Sequence, residues 1–132
     1  MSSNRSGQYR VRAIRHEARA RNFRRQADLL YRRDADFDCA GALLYEAAKQ
    51  CINAVANLRE ENPGTTGSKV NTLRTVATRE TDGQSLMRNW QSADKLHVHA
   101  DRGNLEDSEF EMHWIQTQQF IDSMLNLYAR DA

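Results

Sequence analysis

Two histidines and an arginine lie close together between Lys95 and Asn104. A histidine can deprotonate a ribose 2′-hydroxyl while a neighbouring guanidinium stabilises the charge that develops on the phosphate. The sequence therefore indicates His97, His99 and Arg102 as candidate catalytic residues of a metal-independent ribonuclease. The alternative is structural: His97 belongs to the apolar stripe of a helix, and His99 is a surface residue.

The same histidines do not match a metal site. They are two residues apart, so on a helix their side chains would point about 200° away from each other. Zinc motifs on helices usually place histidines four residues apart, and Asp101 or His113 would have to complete the ligands on a non-helical backbone. No Walker A run or dinucleotide-binding glycine pattern occurs in the sequence. We expect no metal and no other cofactor.

Nucleophilic catalysis is not indicated either, since the sequence has no Gly-x-Ser-x-Gly pattern. Both cysteines, Cys39 and Cys51, are expected to face inward on one alanine-rich helix, away from electropositive groups. The helix would separate them by about 18 Å, whereas a disulfide needs Cα atoms within about 7 Å. Two free, buried thiols are typical of a reducing compartment.

Charge is divided unevenly along the chain. Residues 1–33 carry ten arginines against two acids, a net charge of +8, whereas residues 34–132 have a net charge of −7. A basic segment of this kind favours an anionic partner, nucleic acid above all. The alternative is a solvated helix that faces the acidic remainder of its own domain or of a second subunit. The arginines predicted to contact phosphates are Arg19, Arg21, Arg24 and Arg25.

A helix from Ala40 to about Glu61 is the element that must position these residues. Its apolar residues recur every three or four positions, which predicts a face buried along about five turns. Asp36 or Asp38 is expected to cap its N-terminus. The breaker run at residues 62–67, which includes the only proline, ends it.

Four further helices are expected around this one, which gives an all-α, up-and-down bundle of four to five helices. Residues 1–9 are polar and are predicted to be a disordered tail, and residues 10–132 are predicted to form a single domain. The remaining helices are predicted over residues 10–33, from Ser68, after a break at residues 81–83 and up to a left-handed Gly103, and after a capping box at Ser108–Glu111.

The apolar patterns of the first and last helices are less regular. In the first helix, the apolar stripe that contains Ala20 extends to Val11 and Ile14 with less regular spacing. In the last helix, Phe120 and Leu127 lie off the main stripe, so a second surface such as a dimer partner is expected to cover them.

No segment approaches the roughly 20 apolar residues that span a bilayer. The N-terminus also lacks the apolar core of a secretory signal. We therefore expect a cytoplasmic protein without membrane contact.

Three stretches together resemble the HEPN superfamily, and most of all its small archaeal and bacterial PaREP1-like proteins. They are the Leu43-Leu44-Tyr45-x-Ala47-Ala48 centre of the long helix, the breaker loop, and the segment from Ala93-Asp-Lys-Leu-His97 to Glu111. The resemblance covers roughly residues 13–130 and implies a bundle of four to five helices that pairs as a homodimer.

The resemblance also bears on activity. Many HEPN proteins are ribonucleases that place an arginine, four to six intervening residues and a histidine at the dimer cleft. Here Arg88 is the nearest arginine before His97, and eight residues separate them. The departure favours the non-catalytic roles of the family, which are binding of RNA or nucleotides and pairing with a partner protein.

Three functions are therefore expected from the sequence. The first is a homodimeric HEPN-like protein that binds RNA or nucleotide without the standard ribonuclease motif. The second is a metal-independent ribonuclease or toxin-like effector. The third is a non-enzymatic interaction module of a two-component pair, as in toxin–antitoxin systems.

Overall fold

The chain folds into five α-helices in the computed structural model, which describes the backbone from Ser2 and the side chains from Arg5 to Ala132. The helices are α1 (Ser2–Arg32), α2 (Phe37–Leu58), α3 (Thr66–Ala77), α4 (Gly83–Arg102) and α5 (Asp107–Asp131). No strand occurs in the described residues. The predicted all-α bundle of four to five helices is confirmed.

Helix α2 is the centre of the bundle and packs against all four other helices. Its side chains are buried nearly all round, and Leu44 and Ile52 are fully enclosed. It begins after Asp36, whose carboxylate accepts the N–H of Cys39, so one of the two predicted caps is the true one. Alanine and glycine are frequent along α2, which lets the surrounding helices approach closely.

Helix α1 runs antiparallel to α2 and packs on it through a seam of alanines. Ala13, Ala20 and Ala27 recur every seven residues and are fully buried. The opposite side of α1 exposes Val11 and Ile14, at 48% and 54% of their surface. The sequence assigned these two residues to an extension of the apolar stripe, but both are exposed, whereas the alanines are buried and Phe23 and Leu30 pack against the core.

The start of α1 differs from the prediction. Residues 2–9 form its first turns, where the sequence predicted a disordered tail, while Met1 lies outside the described residues. Gly7 weakens a helix by about 1 kcal/mol relative to alanine but does not break it. The end of α2 also offers a contact, since the Ser6 hydroxyl donates to Oε1 of Glu60 at 2.5 Å.

Helices α4 and α5 complete the core as an antiparallel pair. Helix α4 also runs antiparallel to α2, with Tyr45 stacked on Trp90 at 5.8 Å. Helix α5 packs against both α2 and α4, so its buried arc is wider than one stripe. Phe120 and Leu127 are therefore buried within the chain itself. The expectation that a second surface must cover them is wrong.

The helix ends confirm one of the predicted capping residues and correct two others. Gly103 has a φ of 59° and ends α4 in the left-handed conformation, as predicted. Ser68 does not cap α3 itself, because Thr65 does so and Ser68 is its capping-box partner. The box predicted at Ser108–Glu111 instead lies two residues earlier, at Glu106–Glu109. Within residues 2–132, none of the helices combines the length and apolar character that crossing a bilayer requires.

Candidate functional site

His99 occupies the last turn of α4 and is 8% exposed. Its Nδ1 accepts the backbone N–H of Leu105 at 2.9 Å, and its Nε2 lies 2.8 Å from Oδ1 of Asp38. Because Nδ1 accepts a hydrogen bond, the ring proton is on Nε2, which donates to the Asp38 carboxylate. The imidazole is therefore neutral, and it joins the end of α4 to the start of α2 and to the α4–α5 loop.

His97 is exposed and stacks on the ring of Tyr45, with centroids 4.2 Å apart and an angle of 20° between the planes. The structural interpretation of the sequence placed His97 in the core and His99 at the surface, and both placements are wrong. Helix α3 flanks only the first half of α4, where Ala77 and Gly83 line one groove. Trp90, on the same stripe, is buried and packs on Tyr45 of α2 and Phe120 of α5.

Arg102 is exposed at the end of α4, where its charge complements the negative end of the helix dipole. Within the described residues it shares no hydrogen bond or ion pair with either histidine. His97 contacts Tyr45 while His99 binds Asp38. The two histidines therefore have different partners, and no hydrogen bond or ion pair joins His97, His99 and Arg102 in the described residues.

The four arginines predicted to bind phosphates have different environments. Arg24 is mostly buried, and it donates to Asp122 and Gln118 of α5 at 2.7 Å in each case. It joins α1 to α5 and is not available for a ligand, which corrects its predicted role. Arg21 forms an ion pair with Glu17 one turn earlier. A structural role for Arg24 was not readable from the sequence, because Gln118 and Asp122 lie more than 90 residues away.

Exposed arginines lie along the outer face of α1, together with three exposed apolar side chains. Arg19 and its neighbours on this face have no acidic partner among the described residues. Arg25 makes only a neutral hydrogen bond, to Asn22 at 3.2 Å. At 1.5 Å per residue, this helix is about 46 Å long. The face consists of Val11, Ile14, Arg15, Arg19, Arg25, Leu29 and Arg32.

A serine and a histidine are in contact between α4 and α5, a pair that the sequence did not indicate. The Ser92 hydroxyl donates to Oε1 of Gln116 at 2.5 Å, and Nδ1 of His113 lies 2.9 Å from Oγ of Ser92. The hydroxyl has one proton and gives it to Gln116, so Nδ1 of His113 must be the donor. Burial, helped by Lys95, lowers the pKa of His113. The geometry therefore holds a neutral histidine in place and does not activate Ser92 as a nucleophile.

Both cysteines are free, as predicted, but only one of them is buried. Cys51 lies in the core, where burial raises the pKa of its thiol to about 12. Cys39 is exposed beside Asp36, which corrects the prediction that it faces inward. No group of three or more His, Cys, Asp or Glu side chains able to hold a metal ion occurs in the described part of the chain. Comparisons with protein-family models, curated proteins and solved structures give no match to this chain.

Proposed function

We propose that this chain is a HEPN-like protein that binds RNA or nucleotides, and that the outer face of α1 is its phosphate-binding surface. The observation that carries the proposal is the set of exposed arginines on this face, which no carboxylate of the described chain neutralises. Arginine binds phosphate oxygens in a bidentate manner and stays charged at every physiological pH.

The distribution of charge supports contact through one side only. The segment that contains α1 has a net charge of +8, and the rest of the chain has −7. A polyanion is attracted to α1 and repelled by the remainder, so it would lie along the helix. The length of α1, about 46 Å, is enough for contacts with several successive phosphates.

We include a homodimer in this proposal because the resemblance to the HEPN superfamily implies one. Two outer faces of α1 would repel each other, so the pairing surface is expected elsewhere on the bundle. Sedimentation equilibrium should give twice the 15.2 kDa of one chain. A mass equal to one chain at all concentrations tested would remove the homodimer but leave the phosphate-binding surface untouched.

The binding test is the salt dependence of affinity for a fluorescently labelled single-stranded RNA. Each phosphate contact contributes about 0.7 to the slope of log affinity against log salt. The double variant Arg19→Ala, Arg25→Ala should therefore lower the slope by about 1.4. The matched control is Arg74→Ala, Arg88→Ala, which removes two exposed arginines beside the α3–α4 groove. The control should bind like the unchanged protein.

Four results would contradict this proposal or favour another function. Affinity that does not change with salt, or an equal loss in the control, would exclude the outer face of α1 as the binding surface. RNA cleavage that survives EDTA and is lost in His97→Ala or His99→Ala would instead support a metal-independent ribonuclease or toxin-like effector. A protein partner retained after nuclease treatment would favour the interaction module of a two-component pair.

A further inference from the structure

A cavity of about 380 Å³ lies where the end of α1, the start of α2, the end of α4 and the start of α5 meet. Its volume is at the lower end of the range for small-molecule sites, which is about 300–1,000 Å³. The lining combines two kinds of side chain, aromatic rings and carboxylates. These are Tyr31, Phe37 and Phe110, together with Asp38, Asp107 and Glu111.

The aromatic rings form a fixed wall. Phe37 meets Tyr31 edge to face at 5.1 Å and is tilted by 59° to Phe110 at 6.2 Å. Tyr31 is held in turn by a stack on Trp114 at 4.3 Å. Phe37 nevertheless leaves 45% of its surface exposed, although it has two aromatic neighbours. Three aromatic rings in different orientations therefore line the cavity.

The charge of the lining is negative and unopposed. No lysine or arginine lines the cavity, and His99 is neutral because its Nδ1 accepts a hydrogen bond. The Tyr31 hydroxyl donates to the Glu111 carboxylate, and this bond raises the pKa of Tyr31 to about 12. The phenol thus remains protonated at neutral pH and cannot bind as a phenolate. An anionic ligand such as phosphate is excluded from this cavity by its three carboxylates.

Helix capping does not account for these carboxylates. Acids near a helix N-terminus often serve only to complement its dipole. The start of α2 already has Asp36 as its cap, and the start of α5 has Glu109, which accepts the N–H of Glu106. Asp38 and Asp107 are not caps but lie in the first turns of α2 and α5, where their charge also complements the helix dipoles, whereas Glu111 lies beyond the first turn of α5.

We propose that this cavity binds the ammonium group of an organic cation, primary or methylated, with the rings providing cation–π contacts and the carboxylates providing charge. Aromatic faces attract an ammonium group within about 6 Å of the ring centroid. A bare metal ion would need a cluster of oxygen ligands, and the described residues contain no such cluster. The ammonium group is that of a free small amine or of a lysine side chain on another protein.

The test uses choline and its neutral isostere 3,3-dimethyl-1-butanol, which differ in charge but hardly in shape. Titrations are followed by calorimetry on the full chain. Choline should bind saturably and at least tenfold more tightly than the alcohol. A short peptide containing trimethyl-lysine forms a second arm. Tighter binding of the peptide than of choline identifies a protein lysine as the source, and the reverse identifies a free amine.

Two variants and a control locate the binding. Phe37→Leu keeps an apolar side chain but removes a ring, and Asp107→Asn removes one charge at nearly constant shape. Each should weaken choline binding at least fivefold without changing the affinity for the alcohol. Asp94→Asn removes an exposed carboxylate that does not line the cavity, and it should have no effect. Melting curves check that all three variants are folded.

Several outcomes would overturn the proposal. Equal affinity for choline and the alcohol would indicate that the cavity recognises an apolar shape and not a positive charge. No saturable binding of choline or of the peptide up to about 10 mM would exclude an ammonium site. A loss of choline binding in Asp94→Asn as large as that in Asp107→Asn would place the cation elsewhere.

Discussion

Replacing His99 by alanine should destabilise the fold by about 2–4 kcal/mol. The main cost is the backbone N–H of Leu105, which loses its acceptor in a half-buried position, about 1–3 kcal/mol. The bond to Asp38 adds less than about 1 kcal/mol, because the Asp38 side chain is 67% exposed. Loss of the contact with Phe110, whose centroid is 5.5 Å from that of His99, adds about 1 kcal/mol.

The assay is urea unfolding at neutral pH, followed by far-UV circular dichroism and analysed as a two-state transition. His97→Ala is the matched control, since it removes an imidazole of the same helix that has only an exposed stack on Tyr45. It should cost about 1 kcal/mol or less. Asp38→Asn separates the two hydrogen bonds of His99 and should also cost less than about 1 kcal/mol.

Two results would refute the reasoning. A loss below about 0.5 kcal/mol in His99→Ala would mean that the Leu105 N–H finds water instead. A loss in Asp38→Asn as large as that in His99→Ala would assign the stabilisation to the ion pair. The outcome also governs the ribonuclease test, because lost activity in His99→Ala is informative only while that variant remains folded.

The remaining predictions concern close contacts and exposure. A Cβ on Gly83 would lie 2.1 Å from the carbonyl oxygen of Ala77, so Gly83→Ala should lower the free energy of unfolding by at least about 2 kcal/mol in urea titrations. A Cβ on Gly7 meets nothing within 4 Å, so Gly7→Ala should raise it by about 0.5–1 kcal/mol, and an unchanged value would contradict the helical conformation of residues 2–9. A colourless thiol reagent that releases a chromophore should modify Cys39 in the native protein, whereas Cys51 should react only in denaturant; rapid native reaction of both would contradict the buried placement of Cys51.

The helical architecture could be predicted from the sequence because strong local signals agree with one another. The apolar spacing of α2, the breaker run after it and the left-handed Gly103 each act over a few residues and need no knowledge of neighbours. The prediction failed where a distant element decides the outcome. Phe120 is buried because α5 lies between α2 and α4, and a periodicity within α5 alone could not show this.

The candidate site shows the same division between local and distant information. Residues 97 and 99 were recognised as chemically interesting, but their exposure depends on helices elsewhere in the chain. His97 is exposed and stacks on Tyr45 of α2, and His99 is buried because Asp38 and the backbone of Leu105 approach it from two other elements. The ammonium cavity was not predicted at all, since its residues come from four helices and share no sequence motif.

The fold itself explains why the charge asymmetry of the sequence persists on the surface of the folded chain. The side of α1 that faces α2 is a seam of alanines, which offers the arginines of that helix no acceptor. Among the described residues, carboxylates pair with Arg21, Arg24 and Arg33 of the basic segment. The arginines of the outer face of α1 have no carboxylate partner there. Meanwhile Asp38 and Glu111 face a cavity that no basic side chain lines. Folding thus leaves opposite charges on separate surfaces instead of bringing them together, and each surface has the chemistry to bind a ligand of the opposite sign.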